Sequence, residues 1–227
     1  VNAEYGSECR EQWVVDSGYK LVGIDASGLE LRMLAHYMND KEYTKEVVDG
    51  DIHTKNQLAA GLDTRAKAKT FIYAFLYGAG AKKIGSITGT NGTVIIDKFM
   101  KNVPALAKLK EKIAVNLRNK GSLPGLDGRR LFIRSEHAAL NTLLQGAGAV
   151  VMKKALVIFN KYIKLHELDA HFVANVHDEW QLEVKEEEAE LVGQLGVKAI
   201  VEAGKALRLN CPLDGEYKVG DNWKQTH

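Results

Sequence analysis

The sequence predicts a mixed α+β fold: one sheet domain interrupted by a mainly helical insertion. Three observations predict it. Strand-like segments lie toward the two ends of the chain, at residues 20–25, 171–176 and 180–184. Between them a helical period dominates, through 51–60, 64–78, 94–101, 105–119 and 138–165. The chain has 227 residues and is 45% hydrophobic, enough to bury a substantial core.

Residues 20–25 (KLVGID) form a short apolar run that reads as a buried strand. Ser27 then opens a helix through about Tyr37, and Ser27-x-x-Glu30 has the spacing of a capping box. Asp51 is placed to cap a short helix through Ala60. Residues 64–78 give a strong helical pattern that stops at Gly78. The glycine-bracketed stretch 85–92 reads as a loop. Helices follow at 94–101 and 105–119, the second starting just after Pro104. Leu126-Asp127-Gly128-Arg129 carries an Asp-Gly turn signal between short strands and predicts a hairpin. Residues 138–165 predict a long helix with Leu140, Leu143, Leu144, Ala147, Val151, Leu156 and Phe159 as its apolar positions. Two strands flank His177-Asp178-Glu179, and a last helix runs from 186 to about 205.

The net charge is only +2, but it is unevenly spread. Residues 65–134 hold fifteen Lys/Arg against three acids, while residues 178–221 hold eleven acids against five Lys/Arg. A basic middle suits a polyanion and an acidic end suits cations; solvated helix faces would give the same imbalance. Cys9 and Cys211 are too few for a disulfide framework. The richest apolar stretch, 143–151, is broken by Gln145, Gly146 and Gly148, so no bilayer span is expected. With no signal-peptide pattern, a cytoplasmic protein is expected.

Four groups of residues carry candidate chemistry. Asp25 ends a buried strand and Asp178 sits at the tip of a tight strand-turn-strand. Carboxylates held at strand ends can bind paired Mg²⁺ ions, which take oxygen ligands and keep room for water and phosphate. Either residue alone also reads as an ordinary helix-start or turn residue. Arg65, Lys69, Tyr73 and Tyr77 recur every four residues and form a drifting stripe on one helix face. Two cations followed by two phenols suit a nucleoside triphosphate, with His53 and Gln57 as further polar contacts. An amphipathic helix with a solvated basic edge is the plainer reading. His137, Asn141 and Gln145 form a polar stripe on an otherwise apolar helix, suited to a sugar or base edge or to hydrogen bonding in a core.

Together these segments resemble family A (Pol I-like) DNA polymerases. Residues 25–32 (DASGLELR) resemble motif A, residues 65–78 (RAKAKTFIYAFLYG) motif B of the mobile fingers helix, and residues 176–179 (VHDE) motif C. LDGRR at 126–130, the His137–Asn141–Gln145 stretch, and residues 5–13 (YGSECREQW), similar to the tail of the motif preceding motif A, follow the family order. DIHTKNQLA, TFIY, LYGAG and HAALNTLLQ are closest to the phage replicative branch.

The resemblance implies an antiparallel palm sheet with packed helices, at 1–50 and 138–227, interrupted by a mainly helical fingers insertion at 51–137. It implies DNA-directed DNA polymerase activity in DNA replication, with two Mg²⁺ ions held by Asp25, Asp178 and the Ala26 carbonyl, and Glu179 as a supporting carboxylate. Arg65, Lys69 and His53 would contact the dNTP, Tyr73 would pack by its sugar, and Glu30 would pair with Tyr73 to exclude a 2′-hydroxyl. Tyr77 would stack near the templating position. His137, Asn141, Gln145, His177 and Arg10 would approach the primer–template. The family's thumb and first part of the palm precede the region that matches, and no proofreading exonuclease segment is recognised. The expectation is therefore a fragment or one piece of a split polymerase. Its partners would be primer–template DNA, dNTP and a separate chain carrying the thumb and upstream palm, in the host cytoplasm if phage-encoded and away from membranes. A non-catalytic DNA- or dNTP-binding module is the alternative.

Overall fold

The computed structural model describes residues 4–227. The chain forms two compact units: the part through Leu29 together with Gly148–His227, and Glu30–Ala147.

The first unit is built on a four-stranded antiparallel sheet in the order β4-β5-β1-β6. Its strands are β1 (Tyr19–Ala26), β4 (Ala170–Val176), β5 (Glu179–Lys185) and β6 (Gly215–Gly220). β1 pairs with β5 on one edge and β6 on the other, and both of its faces are covered, which is why it reads as a near-continuous apolar run. Strand alternation then sorts the side chains. Trp180, Leu182 and Val184 of β5 are fully buried, and Phe159 of helix α9 (Ala139–Leu165) stacks on Trp180 at 5.5 Å between ring centres. Helix α10 (Ala189–Ala206) covers the sheet where Gly196 leaves room for Ile24. The alternate residues Glu179 and Gln181, also buried, lie under the short helix α11 (Trp223–Thr226). Gly23 belongs to that covered side, since a side chain there would run into Thr226. Helix α1 (Gly6–Glu11) meets α11.

The second unit is mainly helical: most of α2 (Leu29–Met38), then α3 (Lys41–Val48), α4 (Ile52–Ala60), α5 (Arg65–Leu76), α6 (Ala81–Thr88), α7 (Gly92–Asn102) and α8 (Pro104–Lys120). The hairpin of β2 (Ser122–Pro124) and β3 (Arg130–Phe132), a 3-10 turn at Glu136–Ala138 and the first part of α9 complete it. Asp51 caps α4 through the amides of His53 and Thr54, and Thr64 caps α5 through Lys67. Gly78, at φ 82°, ends the α5 segment, and Gly128, at φ 82°, supports the hairpin turn. Phe71 and Phe75 of α5 meet Phe99 of α7 edge-on at 5.2 and 5.7 Å. Residues 41–48 join this unit because Lys55 of α4 pairs with Glu42 at 2.8 Å and Tyr43 is buried beside Asn56.

Two expectations need correction. The stretch 85–92 is not one loop, because helix α6 runs through Thr88 and α7 starts at Gly92. Its glycines serve close helix approach: a methyl at Gly92 would strike the Ala81 carbonyl. The Glu136–Leu165 segment is also long and apolar enough, by length and composition, to cross a bilayer. Gln145, Gly146 and Gly148 do not interrupt it, since all three sit inside the continuous helix α9. Fully buried Val151, Ala155 and Phe159 make its second half a core helix of the first unit.

Candidate active site

In the first unit, β1 and the β4–β5 turn bring Asp25 and Asp178 to one end of the sheet, although roughly 150 residues separate them in sequence. Asp25 is the register partner of Glu179, and the Ala26 amide donates to the Asp178 carbonyl at 3.0 Å. The turn itself is held in an unusual conformation. His177 has φ 57°, which side chains with a Cβ adopt rarely and at a cost of about 1–2 kcal/mol. Both aspartates are half-buried. Their carboxylates and the strand-end carbonyls are oxygen donors, the class Mg²⁺ takes. Among the described residues no group of three or more His, Cys, Asp or Glu side chains converges into a closed metal cage. A two-carboxylate site of this kind leaves coordination positions for water and phosphate oxygens, which fits Mg²⁺ better than a structural zinc.

In the second unit, α5 divides as its spacing predicts. Ala68, Phe71, Ile72, Phe75 and Leu76 are buried, whereas Arg65, Lys69 and Tyr77 are exposed and Tyr73 is half-buried. The structure gives several stripe residues partners within the unit. Arg65 Nε pairs with Asp51 at 2.7 Å, and that guanidinium, with the Thr54 hydroxyl, holds the Asp51 carboxyl far below the usual carboxylate range. His53 lies beside Tyr73, ring centres 6.1 Å apart. Its Nδ1 is buried and has no hydrogen-bond partner among the described residues. Burial lowers the His53 pKa first, and the Arg65 and Lys69 charges lower it further. Tyr77 donates its hydroxyl to Glu30 Oε1 at 3.1 Å and accepts from Gln145 Nε2 at 3.5 Å. Glu30 therefore accepts a hydrogen bond from the Tyr77 phenol.

The remaining predicted residues fall in both units. Asn141 and Gln145 are half-buried at the start of α9, and His137 is exposed in the 3-10 turn just before it. The His137 carbonyl lies so close to Gly78 that a side chain there would not fit. In the first unit, the Arg10 guanidinium lies over the Trp223 ring at 5.6 Å.

Comparison with known proteins gives the family. The model for DNA polymerase family A matches residues 1–225. The chain belongs to DNA polymerase family A. It is 41% identical to the DNA-directed DNA polymerases of Enterobacteria phage T3 and Escherichia phage T7, with all of this chain and 37% of each relative covered. It is 29% identical to DNA polymerase I of Pseudomonas aeruginosa, over all of this chain and 27% of that protein. The chain thus spans little more than a third of the length of these phage relatives. Its fold is similar to the POL domain of Pol1 from M. smegmatis, solved in complex with DNA primer-template and dNTP. The TM-score is 0.88 at 24% identity, with 99% of this chain and 44% of that one covered.

In this family A chain no motif marks Gln181, Trp223 or His227 as a site residue. All three contact Glu179: Gln181 Nε2 and Trp223 Nε1 donate to its Oε1 at 2.6 and 2.8 Å, and His227 Nδ1 lies 2.6 Å from its Oε2. Only alternation along β5, which puts Glu179 and Gln181 on one face, hints at this group in the sequence.

Proposed function

We propose that this chain carries the nucleotidyl-transfer site of a template-directed DNA polymerase, in which a primer 3′-hydroxyl attacks the α-phosphate of a dNTP and pyrophosphate leaves. The observation that carries the reading is the meeting of Asp25 and Asp178 at one sheet end, on a turn strained at His177. Asp25, Asp178 and the Ala26 carbonyl are the ligands for two Mg²⁺ ions, with Glu179 in support. Bound there, the metals would lower the pKa of the attacking hydroxyl and stabilise the leaving oxygen. The residues of this chain supply position and charge. Arg65, Lys69 and His53 bind the triphosphate, with Arg65 keeping Asp51 as its resting partner. Tyr73 packs against the deoxyribose and Tyr77 lies by the templating position. His137, Asn141, Gln145, His177 and Arg10 contact primer–template. Residues 1–50 and 138–227 serve as palm and 51–137 as fingers, acting in the cytoplasm. The M. smegmatis neighbour, bound to primer-template and dNTP, supports the choice of substrates.

A primer-extension assay with Mg²⁺ and all four dNTPs tests this, run with the chain alone and with a chain supplying the thumb and upstream palm. Extension and pyrophosphate release in either arm are expected. Tight DNA and dNTP binding with no extension in both arms would make the chain a binding module instead.

Two narrower outcomes follow from the second unit. His53, followed by NMR in the free protein, should titrate below the ordinary histidine value of about 6.5. A dNTP should raise that midpoint, because its phosphates neutralise the Arg65 and Lys69 charges that depress it. A midpoint that dNTP leaves unchanged would remove His53 from the triphosphate site. Glu30, which with Tyr73 would exclude a 2′-hydroxyl, is held by Tyr77. Glu30→Ala should raise ribonucleotide incorporation relative to deoxyribonucleotide by about 10- to 100-fold. A lowered melting temperature with an unchanged ratio would leave Glu30 a structural residue of α2.

A further inference from the structure

We infer that Trp223 and His227 are positioning residues for the Asp25–Asp178 pair and act through Glu179. This rests on the metal-site reading above. Glu179 directly follows Asp178, faces Asp25 in the ladder, and is only 6% exposed. A carboxylate so buried needs its lone pairs met. One oxygen accepts from Gln181 and Trp223, and the other faces His227. The Gln181 amide oxygen in turn accepts from the Thr226 hydroxyl at 2.7 Å, and both of those residues are buried. The segment 223–227 therefore meets the sheet through a closed polar network rather than an apolar seam.

A plain cover over this face would be made more simply from apolar side chains, as on the opposite face, where Trp180, Leu182 and Val184 are all fully buried. What the polar network adds is direction. It fixes the rotamer of Glu179 and ties both oxygens to protein donors, so this third carboxylate is held out of the metal shell. It also pins the first residue of β5, on which the strained His177–Asp178 turn depends. The segment is anchored in its turn, since the Trp223 amide donates to the Trp13 carbonyl at 3.1 Å and the Arg10 guanidinium lies over the indole. Outer-shell partners of this kind typically change metal affinity by about 10- to 100-fold when removed.

The test is Mn²⁺ binding to the full chain, followed by electron paramagnetic resonance, with melting temperature measured on the same samples. Trp223→Phe keeps an aromatic side chain but loses the N–H donor together with the five-membered ring, a packing change that the melting temperature reads, whereas His227→Ala acts on the other oxygen of Glu179. Each should raise the half-saturating Mn²⁺ concentration about tenfold. In a Glu179→Gln background neither should raise it further, because the route through Glu179 is already cut. Half-saturation within twofold of wild type in either folded variant overturns the inference. So does an undiminished rise in the Glu179→Gln background, which would make the segment a structural cover. If the unsubstituted chain binds no Mn²⁺, the metal-site reading falls and takes this inference with it. If it binds Mn²⁺ and the variants match it, only the inference falls.

Discussion

Asp25→Asn and Asp178→Asn should each reduce primer extension by a factor on the order of 10³ or more in a competent complex. Asparagine keeps the size and shape of the side chain and removes the charge that holds a divalent cation. Both residues stand at strand ends fixed by the β1–β5 ladder and by the bond from the Ala26 amide to the Asp178 carbonyl, a backbone contact that neither substitution alters. The fold should therefore survive, with a melting temperature near that of the unsubstituted chain. Because the two residues serve one site, the double variant should be scarcely worse than either single one. Losses that multiply, or a variant that keeps a tenth of the activity, would mean that the two carboxylates do not act as a unit.

Lys69→Ala should lower kcat/KM for dNTP by about 100-fold and leave the primer–template Kd within about threefold. Lys69 lies on the exposed edge of α5, one turn beyond Arg65, and opposite the buried Ala68, Phe71, Ile72 and Phe75. Alanine is a good helix former, so the helix itself should lose nothing. A solvated lysine contributes little to stability, which keeps the kinetic effect separate from a folding effect. Arg65→Ala should weaken dNTP use as well. It also takes the partner from Asp51, the residue that caps α4 and orders the backbone at His53, so some stability should go with it. Equal losses in dNTP use and DNA binding for Lys69→Ala would reassign this lysine from the triphosphate to the nucleic acid.

The parts of this molecule that were legible in the sequence are those whose signals are local. β1 reads as a strand because both of its faces are buried, and α5 reads as a two-sided helix because Arg65, Lys69, Tyr73 and Tyr77 keep a four-residue spacing. The Asp-Gly hairpin and the cap at Asp51 are likewise short-range chemistry. What the sequence hid depends on distant partners. β6 (GEYKVG) has glycines at both ends and a lysine, a poor strand pattern by itself; it is held by pairing with β1 and by Tyr217 lying over Gly193 of α10. Helix α3 is eight residues long and fully buries only Tyr43, with Val47 half-buried one turn on, too short an apolar stripe to stand out. Glycines 85 and 92 mislead because glycine marks close helix approach as well as loops. The network on Glu179 joins residues more than forty positions apart, and no spacing rule reaches that far. Glu30 has the capping-box spacing from Ser27 and also a hydrogen bond from Tyr77, a pairing that only the folded chain reveals.

We propose above that Asp25 and Asp178 together hold the metals of a nucleotidyl-transfer site. The most direct measurement is anomalous diffraction from crystals of this chain with primer–template, a dideoxy-terminated primer, dNTP and Mn²⁺. Two anomalous peaks are expected, each within about 2.5 Å of carboxylate oxygens of Asp25 and Asp178 and of phosphate oxygens of the dNTP. Bound dNTP with no anomalous peak at these two aspartates, or with its metals held by other residues, would contradict it.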